Sequence, residues 1–454
     1  MFIGREEECK QLKDFLEDNE SKAALIYGVR RIGKTSLIRE SIKNLENSIY
    51  YECLESSYAE NMKQLSAMFA VKLNIPGLFF DNILDLLRFA ASAGNPFVLI
   101  LDEYQFLKAS FKDGELDSYL KSAIDSFPNG SNKIILSGSS IGIMKELLEY
   151  ENPLFGRFNL VIDLKPFDYK TASLFYPERT SKEKIELYSI LGGSPYVLST
   201  VRKQNLEAII KESIIKQTGL IRTFLEYVAF MEIKKSRFSY EILTAIGNGK
   251  LRFSEILSRI PGITSANLSQ QLNALISLEI IEKVSHINSR NDSRKTFYTI
   301  ADNLIRFFFS YIHTNRSAIT RIGEESFYSM YIRPSINTFI SYRFEGIARA
   351  YFSLEVKAGR ITDIMDIGTY WYDDRKHHSN GEFDCVLKHP DNSYDVFEVK
   401  YLSSPMRIEM MDDEKKKISQ IENLKLKSIG FVSASGFEKV NYDAILITGD
   451  ELFL

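Results

Sequence analysis

The spacing of apolar side chains changes character several times along this chain, and each change marks a different kind of element. An apolar stripe at helical spacing runs through Glu6–Leu16. Ala23–Tyr27 is a short continuous apolar run that predicts a buried strand, and after a glycine-bearing loop the helical rhythm returns over Thr35–Ile42. Ser48–Glu52, Phe97–Leu101 and Lys133–Leu136 are further strand candidates. Strands alternating with helices predict an α/β fold with a parallel sheet covered on both faces.

From 166 to 238 the pattern is mostly helical, broken at Gly192-Gly193 and Pro195. Residues 239–312 predict a winged helix-turn-helix. Helix Phe253–Arg259 and the turn Pro261-Gly262 lead to helix Ala266–Leu278, with Leu268, Leu272, Leu275 and Ile276 on its apolar side. A two-stranded ribbon follows, Ile280–Val284 and Thr296–Ile300, around a polar tip, His286–Lys295. The remainder, 313–454, predicts helix, three strands, helix, strand. The expected domains are therefore 1–165, 166–238, 239–312 and 313–454.

Composition narrows the class. A chain of 454 residues with 44% apolar and 26% charged side chains is a multi-domain globular protein. Its net charge of −3 excludes nucleic-acid binding through bulk positive charge. Residues 201–300 nevertheless hold fifteen Lys and Arg against nine Asp and Glu, a local +6 inside a remainder of −9. Cys9, Cys53 and Cys385, odd in number and far apart, exclude a disulfide framework and a paired-cysteine zinc site. The opening MFIGREEE is no secretory leader, and no apolar run approaches the ~20 residues of a membrane span. A reduced, cytoplasmic protein without a membrane partner is expected.

Gly28-Val29-Arg30-Arg31-Ile32-Gly33-Lys34-Thr35 fits GxxxxGK[ST] between an apolar strand and an amphipathic helix. The loop backbone, running on to Ser36, would turn its N–H groups toward phosphate oxygens at a helix N-terminus. Lys34 would reach the β- and γ-phosphates of ATP, and Thr35 would place its hydroxyl on Mg²⁺. Four apolar residues then end in Asp102-Glu103, so a buried strand delivers two carboxylates at its C-terminal end. Asp102 suits the Mg²⁺ shell, and Glu103 suits the base that orients a water for attack on the γ-phosphate. The strand Lys133–Gly138 ends in Ser137-Gly-Ser139-Ser140, either a plain turn or a γ-phosphate contact. Pro153-Leu-Phe-Gly-Arg157 supplies an arginine that could stabilise charge in phosphoryl transfer.

Taken in order, FIGRE at Phe2–Glu6, GVRRIGKT, LILDEY, LSGSS, NPLFGR and GGSPY around Pro195 are similar to the prokaryotic archaeal-type ATPases, relatives of the AAA+ and STAND NTPases. The resemblance covers residues 1–300. It implies a sensor role for Ser139, a nucleotide-sensing role for Arg157, and a lid contact from the region of Pro195.

Residues 381–401, GEFDCVLKHPDNSYDVFEVKY, are two alternating strands about a Pro-Asp-Asn-Ser turn. Glu398 and Lys400 share a strand face, and an odd-length loop such as Pro390–Asn392 places Asp384 opposite Glu398. Two carboxylates and a lysine suit metal-dependent phosphodiester cleavage. Asp384 and Glu398 would hold Mg²⁺, and Lys400 would position water or stabilise charge. Cross-strand ion pairing is the other outcome of the same pattern. Helix Ser335–Leu354 brings Glu345 to the edge of its apolar stripe as a further acidic ligand, and strands Asp366–Tyr372, Glu382–Lys388 and Tyr394–Tyr401, helix Asp413–Leu424 and strand Ser428–Ser433 follow. That αβββαβ order with D-x13-E-x-K resembles a PD-(D/E)xK nuclease-like domain, a restriction-endonuclease-like fold. The usual Pro-Asp pair is absent, since Phe383 precedes Asp384, and Gln420 sits where some members carry an auxiliary polar residue.

On the winged helix, Ser265, Asn267, Ser269, Gln270 and Asn273 could face a groove, with Arg290, Arg294 and Lys295 meeting phosphates. An ATPase lid or a protein contact is the other use of such a domain. His377-His378, without a spaced partner, is a solvated pair rather than a metal site. The expected function is an Mg²⁺-dependent ATPase whose cycle controls a nuclease-like, DNA-acting end. The alternative is a nucleotide-operated signalling or assembly switch with a silent nuclease fold; either could act as an oligomer.

Overall fold

Short runs of β-branched and aliphatic residues with both faces buried can only be central strands of a covered sheet. The computed structural model builds such a sheet. It describes residues 2–94, 96–112, 114–128, 132–201, 204–228, 238–290, 292, 295–374, 379–422, 424–439 and 441–454. The chain divides into two compact units, Met1–Pro166 and Phe167–Leu454.

In the first unit, strands β1 (Ala23–Tyr27), β2 (Ser48–Glu52), β3 (Val98–Asp102), β4 (Lys133–Gly138) and β5 (Leu160–Asp163) form one parallel sheet in the order β2-β3-β4-β1-β5. Helices α1 (Glu6–Glu17), α2 (Lys34–Ile42), α3 (Tyr58–Leu73), α4 (Ile83–Ser92), α5 (Tyr104–Lys108), α6 (Glu115–Ser126) and α7 (Ile141–Glu146) complete it. Alternation sorts the strand residues into two cores. Ala23, Leu25, Leu99, Leu101 and Leu136 join the cluster of α3, α4 and α6. Ala24, Ile26, Val98, Ile100 and Ile135 pack with Leu12 and Phe15 of α1 and with Leu37 and Ile38 of α2. Strand β5 escapes sequence reading because it is a half-exposed edge with one buried residue, Ile162.

The second unit opens with helices α8 (Tyr169–Ser173), α9 (Ser181–Leu191), α10 (Pro195–Thr200), α11 (Leu206–Ala208) and α12 (Leu220–Val228). Thr180 and Glu183 close a capping box at the start of α9. Helices α13 (Ser239–Gly247), α14 (Phe253–Arg259) and α15 (Ser265–Ser277) then pack beside an antiparallel sheet of β6 (Leu251–Arg252), β8 (Thr296–Ile300) and β7 (Ile281–Ser285). This is the winged helix-turn-helix arrangement.

After α16 (Asn303–Phe307), α17 (Arg316–Phe327) and α18 (Ile336–Lys357) comes a five-stranded mixed sheet. Strands β9 (Asp366–Asp374), β10 (Ser379–Lys388) and β11 (Tyr394–Lys400) are antiparallel neighbours. Strands β12 (Leu426–Ser433) and β13 (Ile445–Thr448) add on parallel to β11. The Phe352 ring of α18 lies 4.4 Å from that of Phe397. Phe307, Phe308 and Phe309 are buried.

The helix expected over Asp413–Leu424 is displaced: α19 spans Ile408–Ser419. Its buried residues, Met411 and Ile418, lie two turns apart and set the inward face, so the charged run Asp412–Lys417 is not its first turn. Asp412, Asp413, Lys416 and Lys417 are exposed, while Glu414 and Lys415 are half-buried. Strand β13 adds a fifth strand beyond the expected order. His377 and His378 lie outside the described residues. Among the described residues no helix is long and apolar enough to cross a membrane.

Candidate functional site

The first site is built where β1, β3 and β4 end. Strand β1 runs into the loop at Gly28, whose φ of 155° and closeness to Leu164 leave no room for a side chain: a Cβ there would stand 2.4 Å from the Leu164 carbonyl oxygen. Val29, Arg30, Arg31 and Ile32 carry the loop to Gly33, which caps α2, so that Lys34, Thr35 and Ser36 form the first turn. Lys34 is buried and its Nζ donates to the carbonyls of Gly28 at 2.9 Å and Val29 at 3.1 Å, holding the ammonium inside the loop's curve.

Thr35 Oγ1 donates to Asp102 Oδ2 at 2.7 Å. Asp102 is buried, accepts the Glu103 N–H at 3.0 Å on its other oxygen, and also accepts from the Tyr50 hydroxyl. Burial, then the bond to Asp102, raises the Tyr50 pKa, so the phenol stays a donor. A hydroxyl and a carboxylate held this close at a helix N-terminus are an oxygen donor set suited to a hard divalent cation.

Glu103 takes a left-handed backbone conformation, φ 53°, as the chain breaks from β3 into α5. Its Oε2 accepts from Ser139 Oγ at 2.6 Å and from Gln105 Nε2, and Gln105 Nε2 also reaches Ser139 Oγ at 3.2 Å. The ends of β3 and β4 thus bring Glu103 and Ser139 together. Tyr50 and Gln105 were missed by sequence reading; the signal for Gln105 was its place two residues beyond the carboxylate pair.

Arg157 is elsewhere engaged: its Nε pairs with Asp125 of α6 at 2.7 Å, and Asp125 also meets Lys121. Pro195 belongs to the second unit, where it forms the first turn of α10.

The second site lies on the C-terminal sheet. Pairing of Cys385 with Phe397 and of Lys388 with Tyr394 sets a register that, one step further, puts Asp384 across from Glu398. The Val399 N–H donates to Asp384 Oδ2 at 3.4 Å, and Lys400 Nζ to Glu398 Oε1 at 2.6 Å. Glu414 of α19, missed in the sequence, stands 3.7 Å from the same ammonium.

Burial, then the charges of Glu398 and Glu345, hold the Asp384 carboxyl above the usual carboxylate range. Burial likewise raises Glu398 against the pull of Lys400. Burial opposes the charge on Lys400, but Glu398 beside it wins and keeps it protonated. Glu345 is raised by burial and lies within electrostatic reach of Arg349, whose guanidinium donates to the Asp384 carbonyl. Glu345, Asp384 and Glu398 are thus electrostatic neighbours. Among the described residues, however, no three His, Cys, Asp or Glu side chains gather closely enough to hold a metal ion. Gln420 caps the end of α19 on the surface.

The wing departs from its expected use. Its polar tip is not free: the Ile287 N–H donates to the Thr369 carbonyl of β9 at 2.9 Å, and Asn288 Nδ2 to that of Trp371 at 2.7 Å. His286, 2% exposed, meets Thr369 Oγ1 at 2.9 Å, and Ile287 joins the core of Tyr370, Tyr372 and Phe383. A Cβ on Gly368 would come within 2.5 Å of Ile287 Cγ2, so β9 has a glycine where the wing approaches. Arg290, expected at phosphates, is ion-paired with Asp366, and Lys250 with Glu382 at 2.5 Å. Arg294 lies outside the described residues. The tip carries backbone donors and one buried isoleucine that match an open sheet edge, which wins over solvation of its polar residues. Lys295 lines a shallow cleft of about 800 Å³ beside Arg290 and Lys388. Helix α15 exposes Ser265, Asn267, Ser269, Gln270 and Asn273.

Comparison with known proteins agrees with this layout. Residues 2–201 match a family described as an ATPase domain predominantly from Archaea. Residues 233–302 match an HxlR-like helix-turn-helix, and 308–418 a family of archaeal and bacterial proteins of unknown function. An uncharacterized protein of Methanocaldococcus jannaschii is 29% identical over 435 residues, covering 95% of this chain and 93% of its own. A Walker-type ATPase of Pyrococcus abyssi superposes with a TM-score of 0.52 at 25% identity, covering 68% of this chain and 96% of that one. The fold and the phosphate-binding loop define a P-loop nucleotide-binding protein. The chain is an ATPase, with a helix-turn-helix and a C-terminal β-sheet domain following its ATPase domain.

Proposed function

We propose that ATP hydrolysis here depends on Mg²⁺ and that the nucleotide cycle controls a nuclease-type C-terminal domain acting on DNA. The observation that carries the first half is the 2.7 Å contact of Thr35 with Asp102. With ATP bound, Lys34 would exchange the loop carbonyls for the β- and γ-phosphates, and Thr35 and Asp102 would hold the cation, which would neutralise phosphate charge there. Glu103 orients the attacking water, and Ser139 with Gln105 reports on the γ-phosphate by holding or releasing Glu103. A sensing role for Arg157 requires it to exchange Asp125 for phosphate.

The second half is supported by the helix–three-strand–helix–strand order and by the register that faces Asp384 with Glu398 beside Lys400. It is tested by supplying the purified chain with ATP and supercoiled DNA, with Mg²⁺ or with chelator. Turnover and nicking that both require the metal support the whole reading. Turnover alone leaves the ATPase half.

One observation favours a second reading. With no three metal-binding side chains gathered among the described residues, the C-terminal domain would be catalytically silent and the chain a nucleotide-operated switch. Nicking by the wild type decides between them.

A further inference from the structure

Within the second unit, a group of arginines lies between the winged helix and the C-terminal sheet. Arg306 comes from α16, and Arg343 and Arg349 from α18. All three act electrostatically on Glu282 of β7, which is exposed. Arg306 is itself buried, while Arg343 and Arg349 are half-buried and give the group its access to solvent. Arg349 also anchors the far end, donating to the Asp384 carbonyl, while Arg306 donates to Thr299 Oγ1.

Arg343 differs from both. It makes no hydrogen bond or ion pair among the described residues, although burial lowers its pKa to about 10. A guanidinium presents five donors in a rigid fork, and leaving them half-desolvated without an acceptor is unfavourable. An oxyanion with two free oxygens, such as a phosphodiester, meets that fork two-pronged. The surfaces a winged helix would ordinarily offer are less suited. The wing is paired to β9, and the exposed face of α15 has no charged residue.

We propose that this arginine group is a binding site for the phosphodiester backbone of DNA, with Arg343 as its open contact and the Asp384–Glu398–Lys400 group at its end. The proposal rests on the nuclease-type reading and names where its substrate lies. Lys250 and Glu382 neutralise one another beside the site. The backbone would therefore be gripped from α18 and not by the recognition helix.

The test is fluorescence anisotropy of the full chain with labelled 20-mer DNA, single-stranded and duplex, over a salt series. Arg343→Gln should weaken binding about tenfold or more and lower the salt slope by about one. Arg343→Lys, which keeps the charge and loses the fork, should weaken binding less than Arg343→Gln and leave the salt slope unchanged. Arg290→Gln on the wing should stay within about twofold of wild type. Arg343→Gln that binds as wild type, or Arg290→Gln that weakens binding equally, overturns the proposal while leaving the nuclease-type reading intact. No binding of either probe by the wild type overturns both. An unchanged thermal melt and ATP turnover for Arg343→Gln keep a folding defect from imitating the expected result.

Discussion

Ser139 Oγ and Glu103 Oε2 are 2.6 Å apart, a direct hydrogen bond between the ends of two neighbouring strands. The carboxylate proposed to orient water is thus tethered to the end of β4, and Gln105 tethers it a second time.

Glu103→Gln should therefore lower kcat for ATP by about 10²-fold or more while ATP affinity is kept. Steady-state turnover beside equilibrium nucleotide binding checks it; equal losses in both would assign Glu103 to binding.

Ser139→Ala should lower kcat more than it raises KM, because it removes the Glu103 tether and leaves the loop intact. Gln105→Ala should follow the same pattern. A pure KM effect in either variant would place both residues on the substrate instead.

Lys34→Ala should abolish ATP hydrolysis, since its ammonium is held inside the loop's curve at Gly28 and Val29, where the phosphates would lie. Turnover at the wild-type rate would remove the phosphate-loop assignment.

The carboxyl group of Asp384 gives a signed pH dependence. Its folded pKa is raised, so its favourable contribution is complete below the ordinary carboxylate pKa of about 4 and is lost as pH rises through the raised value. In chelator, Asp384→Asn should raise the melting temperature at pH 8 and change it little at pH 4. Added Mg²⁺ should stabilise the wild type more at pH 8 than at pH 5.5, because the cation requires the ionised form. Differential scanning calorimetry at these pH values reads both.

Asp384→Ala should remove Mg²⁺- or Mn²⁺-dependent nicking of supercoiled DNA. Equal cleavage by the variant and the wild type would move the cleavage site elsewhere.

The ATPase sheet was legible because its chemistry and periodicity coincide: the loop between Ala23–Tyr27 and the following helix has one reading, and β3 ends where its carboxylates begin. The hairpin register was legible for a similar reason, the odd loop leaving Asp384 opposite Glu398. Long-range pairing was not. Nothing local in Arg290 or Ile287 announces Asp366 or β9, and Arg306 and Arg343 read as ordinary solvated cations until α16 and α18 are brought together. The start of α19 was misjudged because charge is conspicuous, whereas Met411 and Ile418 position the helix.

The wing seated on β9 has one more consequence. Strand β9 ends the sheet order, and an uncovered edge strand is a template for pairing with another chain. The Ile287-to-Thr369 backbone bond caps part of that edge, so the winged helix shields its neighbour from self-association. The boundary between family matches, at 302 and 308, is therefore not a physical seam. A fragment cut there would expose the edge and the apolar patch beneath Ile287, and would self-associate through that edge more than the whole chain does.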